Sequence, residues 1–411
     1  MKVALLTREY PPEVYGGAGV HVEYLARELN RVAEVTVHCW GADRAPGADE
    51  PAVVAYRPWE ALAGAEPYAA ALQAVSIDLE MAADVSGAEL VHSHTWYANL
   101  GGHLAKLIHG IPHVATVHSL EPMRPWKREQ LGGGYALSGF AEQTALESAD
   151  AIIAVSAAHL REILTCYPAI GPARCTVIYN GIDAAEYRPD PGTDVLERHG
   201  IDPARPSVVF VGRITRQKGL THLLDAAVDL DPAVQLVVCA GAPDTPEIAA
   251  EISAKMAALR SSRDGVIWIE QMMPKPEVIQ ILTHATVFAC PSVYEPMGIV
   301  NLEAMACETA VVATAVGGIP EVVDDGVTGL LVPYEAVADG TGTPVDPGAL
   351  ARDLAARINQ LVAEPGRARA MGVAMRGFAG QIDALESGIA ELRLTRALAA
   401  GDLEGDRKSV V

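Results

Sequence analysis

Four short stretches of this sequence place cations, carboxylates, a histidine or glycines where a chain can grip an anion. In Val211-Gly212-Arg213-Ile214-Thr215-Arg216-Gln217-Lys218-Gly219, Arg213 falls at the end of an apolar run and Lys218 at the start of the next helical pattern. A guanidinium and an ammonium so placed, beside a helix start, can hold a diphosphate. Arg216 between them reads as a solvated loop cation. In Tyr294-Glu295-Pro296-Met297-Gly298-Ile299-Val300-Asn301-Leu302-Glu303, Glu295 and Glu303 stand eight positions apart. The N–H groups near Gly298, Ile299 and Val300 lie at a helix start and can receive phosphate oxygens. In isolation such a glutamate pair would be surface charge. Tyr15-Gly16-Gly17-Ala18-Gly19 precedes another helix, and consecutive glycines let backbone approach a ligand closely. The motif is not G-x-G-x-x-G, so a dinucleotide fingerprint is not met, and alone it reads equally as a tight turn. His118, in Thr116-Val117-His118-Ser119-Leu120-Glu121, also ends an apolar run, as either a structural or a reacting ring. Arg124, Lys127 and Arg128 follow, around Pro125 and Trp126, as an anion site or as solvated loop cations.

The elements that must position these residues are legible as short apolar runs alternating with helical patterns, which predicts βαβ units and parallel sheets. Strands are expected at 3–6, 35–39, 90–92, 113–117, 151–155 and 175–178, with helices at 20–29 and 97–109 among others. The rhythm restarts with strands at 207–211, 234–239, 266–270, 287–289, 310–313 and 329–332, and helices at 220–230, 276–283 and 299–305. Pro189, Pro191, Pro203 and Pro206 mark a linker. The expected organisation is a first doubly wound domain at 1–185, a linker at 186–206, a second at 207–371, and an atypical tail at 372–411 whose last residues, 401–411, read as disordered. Ligands of such sheets bind outside the carboxyl ends of the strands, so two Rossmann-like domains are expected to face one another across a cleft.

The totals narrow the class. A chain of 411 residues exceeds what one core organises, so two domains are the default. A net charge of −21 argues against nucleic acid and against an anionic membrane surface as partners. Six scattered cysteines, without C-x-x-C spacing, read as reduced structural thiols of a cytoplasmic protein. No secretory signal pattern opens the chain and no apolar run approaches a membrane span. Asp229-Leu230-Asp231 is the one D-x-D; it sits at a helix end before Pro232 and reads as a surface feature rather than a metal site.

The glycine motif, G-R-x-x-x-x-K-G and E-x7-E, in this order, resemble the retaining GT-B glycosyltransferases, in the family that includes bacterial glycogen synthase. The wording of 6–21, 92–96, 118–135, 212–219 and 291–305 is closer still to the actinobacterial group that includes α-maltose-1-phosphate synthases. The resemblance covers roughly residues 1–370. It implies that Gly16 and Gly17 lie under the donor diphosphate, that His118 reaches the transferred sugar, and that Arg213 and Lys218 hold the diphosphate. It implies Glu295 on the sugar hydroxyls, Glu303 on the ribose, and Gly298, Ile299 and Val300 as backbone donors. The implied reaction moves glucose from ADP-glucose to glucose 1-phosphate or a glycogen-type glucan with α-1,4 linkage, without metal or cofactor. Arg124, Lys127 and Arg128 are the candidates for the acceptor phosphate. A UDP-sugar donor with another acceptor, an oxidoreductase on Rossmann domains and a non-catalytic glycan binder are the alternatives. The oligomeric state stays open, a homodimer included. Two features depart from the family: Thr95 stands where many glucan synthases carry aspartate, and the F-S/T-W pattern of the usual closing helix is missing.

Overall fold

A computed structural model describes residues 1–14, 16–45, 47, 50–379, 390, 391, 393 and 397. The chain divides into two units, Met1–Gly181 with Ile382–Val411, and Ile182–Gln381.

Among the described residues, the first unit is built on seven strands: β1 (Lys2–Leu6), β2 (Glu34–Trp40), β3 (Ala52–Tyr56), β4 (Leu90–His94), β5 (His113–Val117), β6 (Ala151–Ala154) and β7 (Cys175–Val177). Their order is β3-β2-β1-β4-β5-β6-β7 and every pair is parallel. Why these runs are continuously apolar is visible in β1. Val3 and Leu5 pack with Val35, Val37 and Leu90 on one face, whereas Ala4 and Leu6 pack with Ile77, Met81 and Val91 on the other. A parallel sheet covered on both faces favours apolar side chains at most strand positions. The β3 strand was not anticipated from the sequence, nor was the helix Ala69–Asp84 that covers the sheet.

The second unit repeats the plan with β8 (Ser207–Arg213), β9 (Gln235–Gly241), β10 (Val266–Ile269), β11 (Val287–Cys290), β12 (Ala310–Thr314) and β13 (Gly329–Val332). Their order is β10-β9-β8-β11-β12-β13, again all parallel. In each sheet the winding reverses beside the first strand, between β1 and β4 and between β8 and β11. That is where such sheets open a crevice for ligands.

Two segments differ from the expected organisation. Residues 186–206, expected as a linker with one short helix, do hold the helix Asp194–His199 but belong to the second unit, where the Val195 N–H donates to Gln280 Oε1 at 2.8 Å and Arg198 pairs with Glu277 at 2.7 Å. The pattern at 372 does not end the structure either, since a helix runs over Pro365–Ala379. Of the described residues beyond it, Ala390 packs against the core of the first unit. Residues 401–411 and Tyr15 lie outside the described residues. No described helix is long and apolar enough to cross a membrane.

Candidate functional site

The second unit gathers the loops that follow β8, β11 and β12. Arg213 is the last residue of β8 and its guanidinium pairs with Asp244, after β9. Lys218, five residues on, donates from Nζ to Glu295 Oε2 at 2.7 Å. Burial works against the Lys218 charge, but Glu295 and Cys290 outweigh it and hold the ammonium above its usual range. Ser292 Oγ donates to the same carboxylate oxygen at 3.2 Å. Glu295 is thus a buried anion fixed from two sides, with one of the two predicted cations already on it.

Backbone contact fixes the loops themselves. Gly219 has φ +63°, and a Cβ there would lie 1.9 Å from the Pro291 carbonyl oxygen. Val293 N–H donates to the Gln217 carbonyl at 2.9 Å, stitching the β8 loop to the β11 loop. Gly317, φ +55°, leaves its Cβ position 2.1 Å from the Glu295 carbonyl oxygen, and Gly318 N–H donates to that oxygen at 2.9 Å. Glycine is required at both positions, by conformation and by contact. Gly317-Gly318 carries no such signal in the sequence: a Gly-Gly pair before a helix signals a turn, and its target lies over twenty residues upstream.

Glu303 occupies the middle of the helix Ile299–Ala306 and accepts from the Tyr187 hydroxyl at 2.8 Å. Burial raises its carboxyl above the usual range, against the pull of Tyr187 and Lys275. Gly298 caps the same helix, with Ile299 and Val300 as its first residues. Asp229 and Asp231 are both exposed, and Asp231 Oδ1 accepts from Ala233 N–H at 2.8 Å, a turn contact.

In the first unit, the loops after β1, β4 and β5 converge. Gly16 N–H donates to Glu9 Oε2 at 2.8 Å, so that a carboxylate sits in the glycine loop; Gly17 begins the helix Gly17–Asn30. His94, the last residue of β4, pairs in register with Thr116 of β5, two residues before His118. His94 Nδ1 and His118 Nε2 share a hydrogen bond of 3.1 Å. The His21 ring, from the helix, lies 5.0 Å from that of His118 and 5.7 Å from that of His94. The His92 ring lies 4.4 Å from that of His94, tilted by 31°. Burial and the neighbouring rings hold His94 and His118 well below the usual histidine range, and burial takes His92 down to about 4. Nitrogens of His21, His94 and His118 lie within 4.8 Å of one another, a set able to contract onto a transition metal ion. Only His118 stood out in the sequence: His21 lies on a helix and His92 and His94 in a strand, with no spacing that links them to it.

Thr95 follows His94 with φ 64°, a costly conformation for a β-branched residue, directly beside the ring cluster. The three predicted cations of this unit are dispersed. Arg124 donates to Ser119 Oγ at 3.0 Å and lies 3.7 Å from Glu121. Lys127 is buried and donates to the Tyr97 hydroxyl at 3.1 Å. Arg128 is exposed and stands 5.5 Å from the Tyr135 ring. Arg8, which the sequence reading passed over, lies 4.2 Å from the Tyr97 ring centroid, so Tyr97 is flanked by Arg8 and Lys127. Both cations draw the Tyr97 hydroxyl below its usual range although burial opposes them.

Two Rossmann-like units of parallel strands, each with polar loops at its winding reversal, have the architecture of a GT-B glycosyltransferase, and the comparisons agree. Residues 15–186 match the family model Glycosyltransferase Family 4, and residues 193–377 match Glycosyl transferases group 1. Sucrose-phosphate synthase from Thermosynechococcus elongatus superposes with TM-score 0.76 at 24% identity, covering 97% of this chain and 99% of that one. Anabaena HepE, in complex with UDP and glucose, gives 0.75 at 21% identity over 97% and 100%. The α-maltose-1-phosphate synthases of Mycolicibacterium smegmatis and Mycobacterium tuberculosis are each 55% identical over 92% of this chain and 94% of theirs. A D-inositol 3-phosphate glycosyltransferase of Mycolicibacterium vanbaalenii is 34% identical over 63% and 59%. The chain belongs to the glycosyltransferase family that contains the α-maltose-1-phosphate synthases.

Proposed function

We propose that this enzyme transfers glucose from ADP-glucose to the 4-hydroxyl of glucose 1-phosphate, forming α-maltose 1-phosphate with retention at the anomeric carbon. The observation that carries the reading is the near full-length likeness to two α-maltose-1-phosphate synthases. The geometry supplies a chemical rationale. The bond from the anomeric carbon to the diphosphate breaks as the acceptor oxygen attacks, and the acceptor proton passes to the departing phosphate oxygen. Charge develops on the leaving ADP, where Arg213 and Lys218 stabilise it. Their ligand-free partners, Asp244 and Glu295, keep both side chains oriented until the diphosphate arrives. Glu295 then takes the sugar hydroxyls and Glu303 the ribose. Gly16, Gly17 and His118 are assigned to the donor as well. For the acceptor phosphate, Arg8 and Lys127 beside Tyr97 join Arg124 as candidates. The reading requires neither cofactor nor metal, because protein cations neutralise the diphosphate. Six free thiols, four of them buried, suit a reducing cytoplasm.

Product analysis decides it. ADP-glucose and UDP-glucose are each offered glucose 1-phosphate and glycogen, with and without EDTA. Maltose 1-phosphate from ADP-glucose, formed equally in EDTA, is the expected outcome. Glycogen elongation alone would move the reading to a glucan synthase. Loss reversed by added metal would direct attention to the three histidines.

A further inference from the structure

Three imidazoles of the first unit converge from three regular elements. His21 comes from the helix Gly17–Asn30, His94 from the end of β4 and His118 from just beyond β5. The reaction proposed above draws on His118 alone. One nitrogen of each ring lies within 4.8 Å of those of the other two. Two nitrogens around a tetrahedral zinc, each 2.0–2.1 Å from the metal, stand about 3.3 Å apart. His94 Nδ1 and His118 Nε2, at 3.1 Å, already have that spacing. His21 must close by no more than about 1.5 Å to reach it, which rotation of its side chain can supply. His21 and His94 are 4% and 0% exposed, whereas His118 is only partly buried, so an ion and a water can reach the set from the His118 side. His21 Nε2 and His94 Nε2 are buried without a hydrogen-bond partner among the described residues. Buried polar atoms rarely go unpartnered, and these two rings keep coordinating capacity that hydrogen bonds do not use up. His92 differs: its Nε2 engages Thr116 Oγ1 at 2.7 Å, so it flanks the set rather than joining it.

We propose that His21, His94 and His118 form an inhibitory site for a divalent transition ion, zinc above all. Three imidazole nitrogens and one water complete the tetrahedron, the ligand set of an open zinc site. Each ring must present a lone pair, so the proton shared between His94 Nδ1 and His118 Nε2 passes, through water, to the other nitrogen of the ring that carries it. The bound metal then holds the His118 ring that is assigned to the transferred sugar, and donor and metal exclude one another. Imidazole suits zinc, copper and nickel. Magnesium and calcium take oxygen ligands and should not occupy the set.

The inhibition rests on the functional reading above, in which His118 serves the transferred sugar; the metal site does not, and the experiment reads the two apart. Full-length protein is stripped with EDTA, dialysed, and titrated with zinc in a buffer that fixes the free ion. The unaltered protein should take up about one zinc more per chain than His21→Gln or His94→Gln. Each substitution should weaken zinc binding by at least about 10- to 100-fold, the scale of losing even an outer partner of a metal ligand. Cobalt at the same site should give the visible d–d bands of a tetrahedral ion, absent in both variants. Zinc should raise the unfolding temperature of the unaltered protein more than that of either variant, and the same scans show that each variant is folded. Zinc should inhibit glucosyl transfer reversibly, ADP-glucose should raise the zinc concentration needed, and magnesium should have no such effect. Each variant is compared with its own metal-free rate. Equal zinc uptake by all three proteins, or equal inhibition of all three, overturns the proposal, and so does zinc bound by the three histidines without effect on transfer. If the metal-free enzyme transfers nothing from ADP-glucose to glucose 1-phosphate, the functional reading fails instead, and zinc uptake with the cobalt spectrum still decides the metal site.

Discussion

Lys218 and Glu295 form a pair in which each side chain answers the other's charge, and that makes their substitution informative. Lys218→Ala removes the cation assigned to the leaving diphosphate and leaves Glu295, 6% exposed, with less compensation. Turnover should drop about 10²–10³-fold, the scale of losing one preorganised electrostatic donor. Arg213→Ala should lose a similar factor with less harm to stability, because its partner Asp244 lies on a loop after β9. Steady-state kinetics with ADP-glucose measures both, and near wild-type turnover in the two variants would place the diphosphate elsewhere. On the acceptor side, Arg124→Gln should raise the KM for glucose 1-phosphate by roughly 10- to 150-fold, one charge-assisted contact, and leave a neutral maltooligosaccharide nearly unaffected. Equal losses with both acceptors would remove the phosphate assignment. The placing of Arg213 at a strand end, Lys218 and Glu295 in loops and Glu303 within a helix was legible from spacing, whereas the pairing of Lys218 with Glu295 was not. Arg8 gave no signal, because it is a single charge beside a ring that only the fold brings to it.

Elements show the same division. The parallel strands were legible because burial on both faces forces uninterrupted apolar runs such as 208–211 and 236–240. The β3 strand escaped notice because it is only partly buried over most of its length. Loop-to-loop contacts have no local signal at all. Gly219 and Gly200 look alike in sequence and in conformation, with φ +63° and +71°, yet they differ in what a methyl group would meet. At Gly200, the cap of the helix Asp194–His199, nothing lies within 4 Å, whereas at Gly219 the Pro291 carbonyl does. Gly200→Ala should therefore cost only the left-handed backbone penalty, about 1–2 kcal/mol. Gly219→Ala must in addition displace the loop that positions Lys218, lowering the melting temperature further and raising the donor KM. Calorimetry and donor titration of the two variants check this contrast. Equal melting temperatures and equal donor affinity would mean that the β8 and β11 loops are not held together as described.

At the scale of the whole molecule, the first unit concentrates buried, uncharged histidine, and this has a consequence for its acid stability. Burial lowers His38 and His92 to about 4 and His113 to about 3, while His94 and His118 are held well below the usual range. A ring whose folded pKa is depressed stays neutral when folded but takes a proton when unfolded. Its contribution to stability is intact above 6.5 and is lost as pH falls toward the folded value. Two acids of the same unit act in the opposite sense. Burial raises Glu142 to about 8 and Asp78 well above its usual value, so both favour the folded state as they protonate. Between pH 6.5 and 4.5 these rings, with His103 lowered as well, outnumber the two acids, so the first unit should lose stability on acidification. In the second unit, His222 is lowered and Glu303 raised, and these act in opposite senses. The first unit should consequently unfold before the second on acidification. The tryptophans can report this, since Trp40, Trp59, Trp96 and Trp126 lie in the first unit and Trp268 in the second. In protein labelled with 5-fluorotryptophan, the four first-unit resonances should move to unfolded positions at a higher pH than that of Trp268. His113→Gln, which removes one buried titrating ring, should shift the first-unit midpoint to lower pH if the folded structure is kept at pH 7. Loss of the Trp268 signal first, or an unchanged midpoint in a folded His113→Gln variant, would mean that groups other than these rings govern the acid transition.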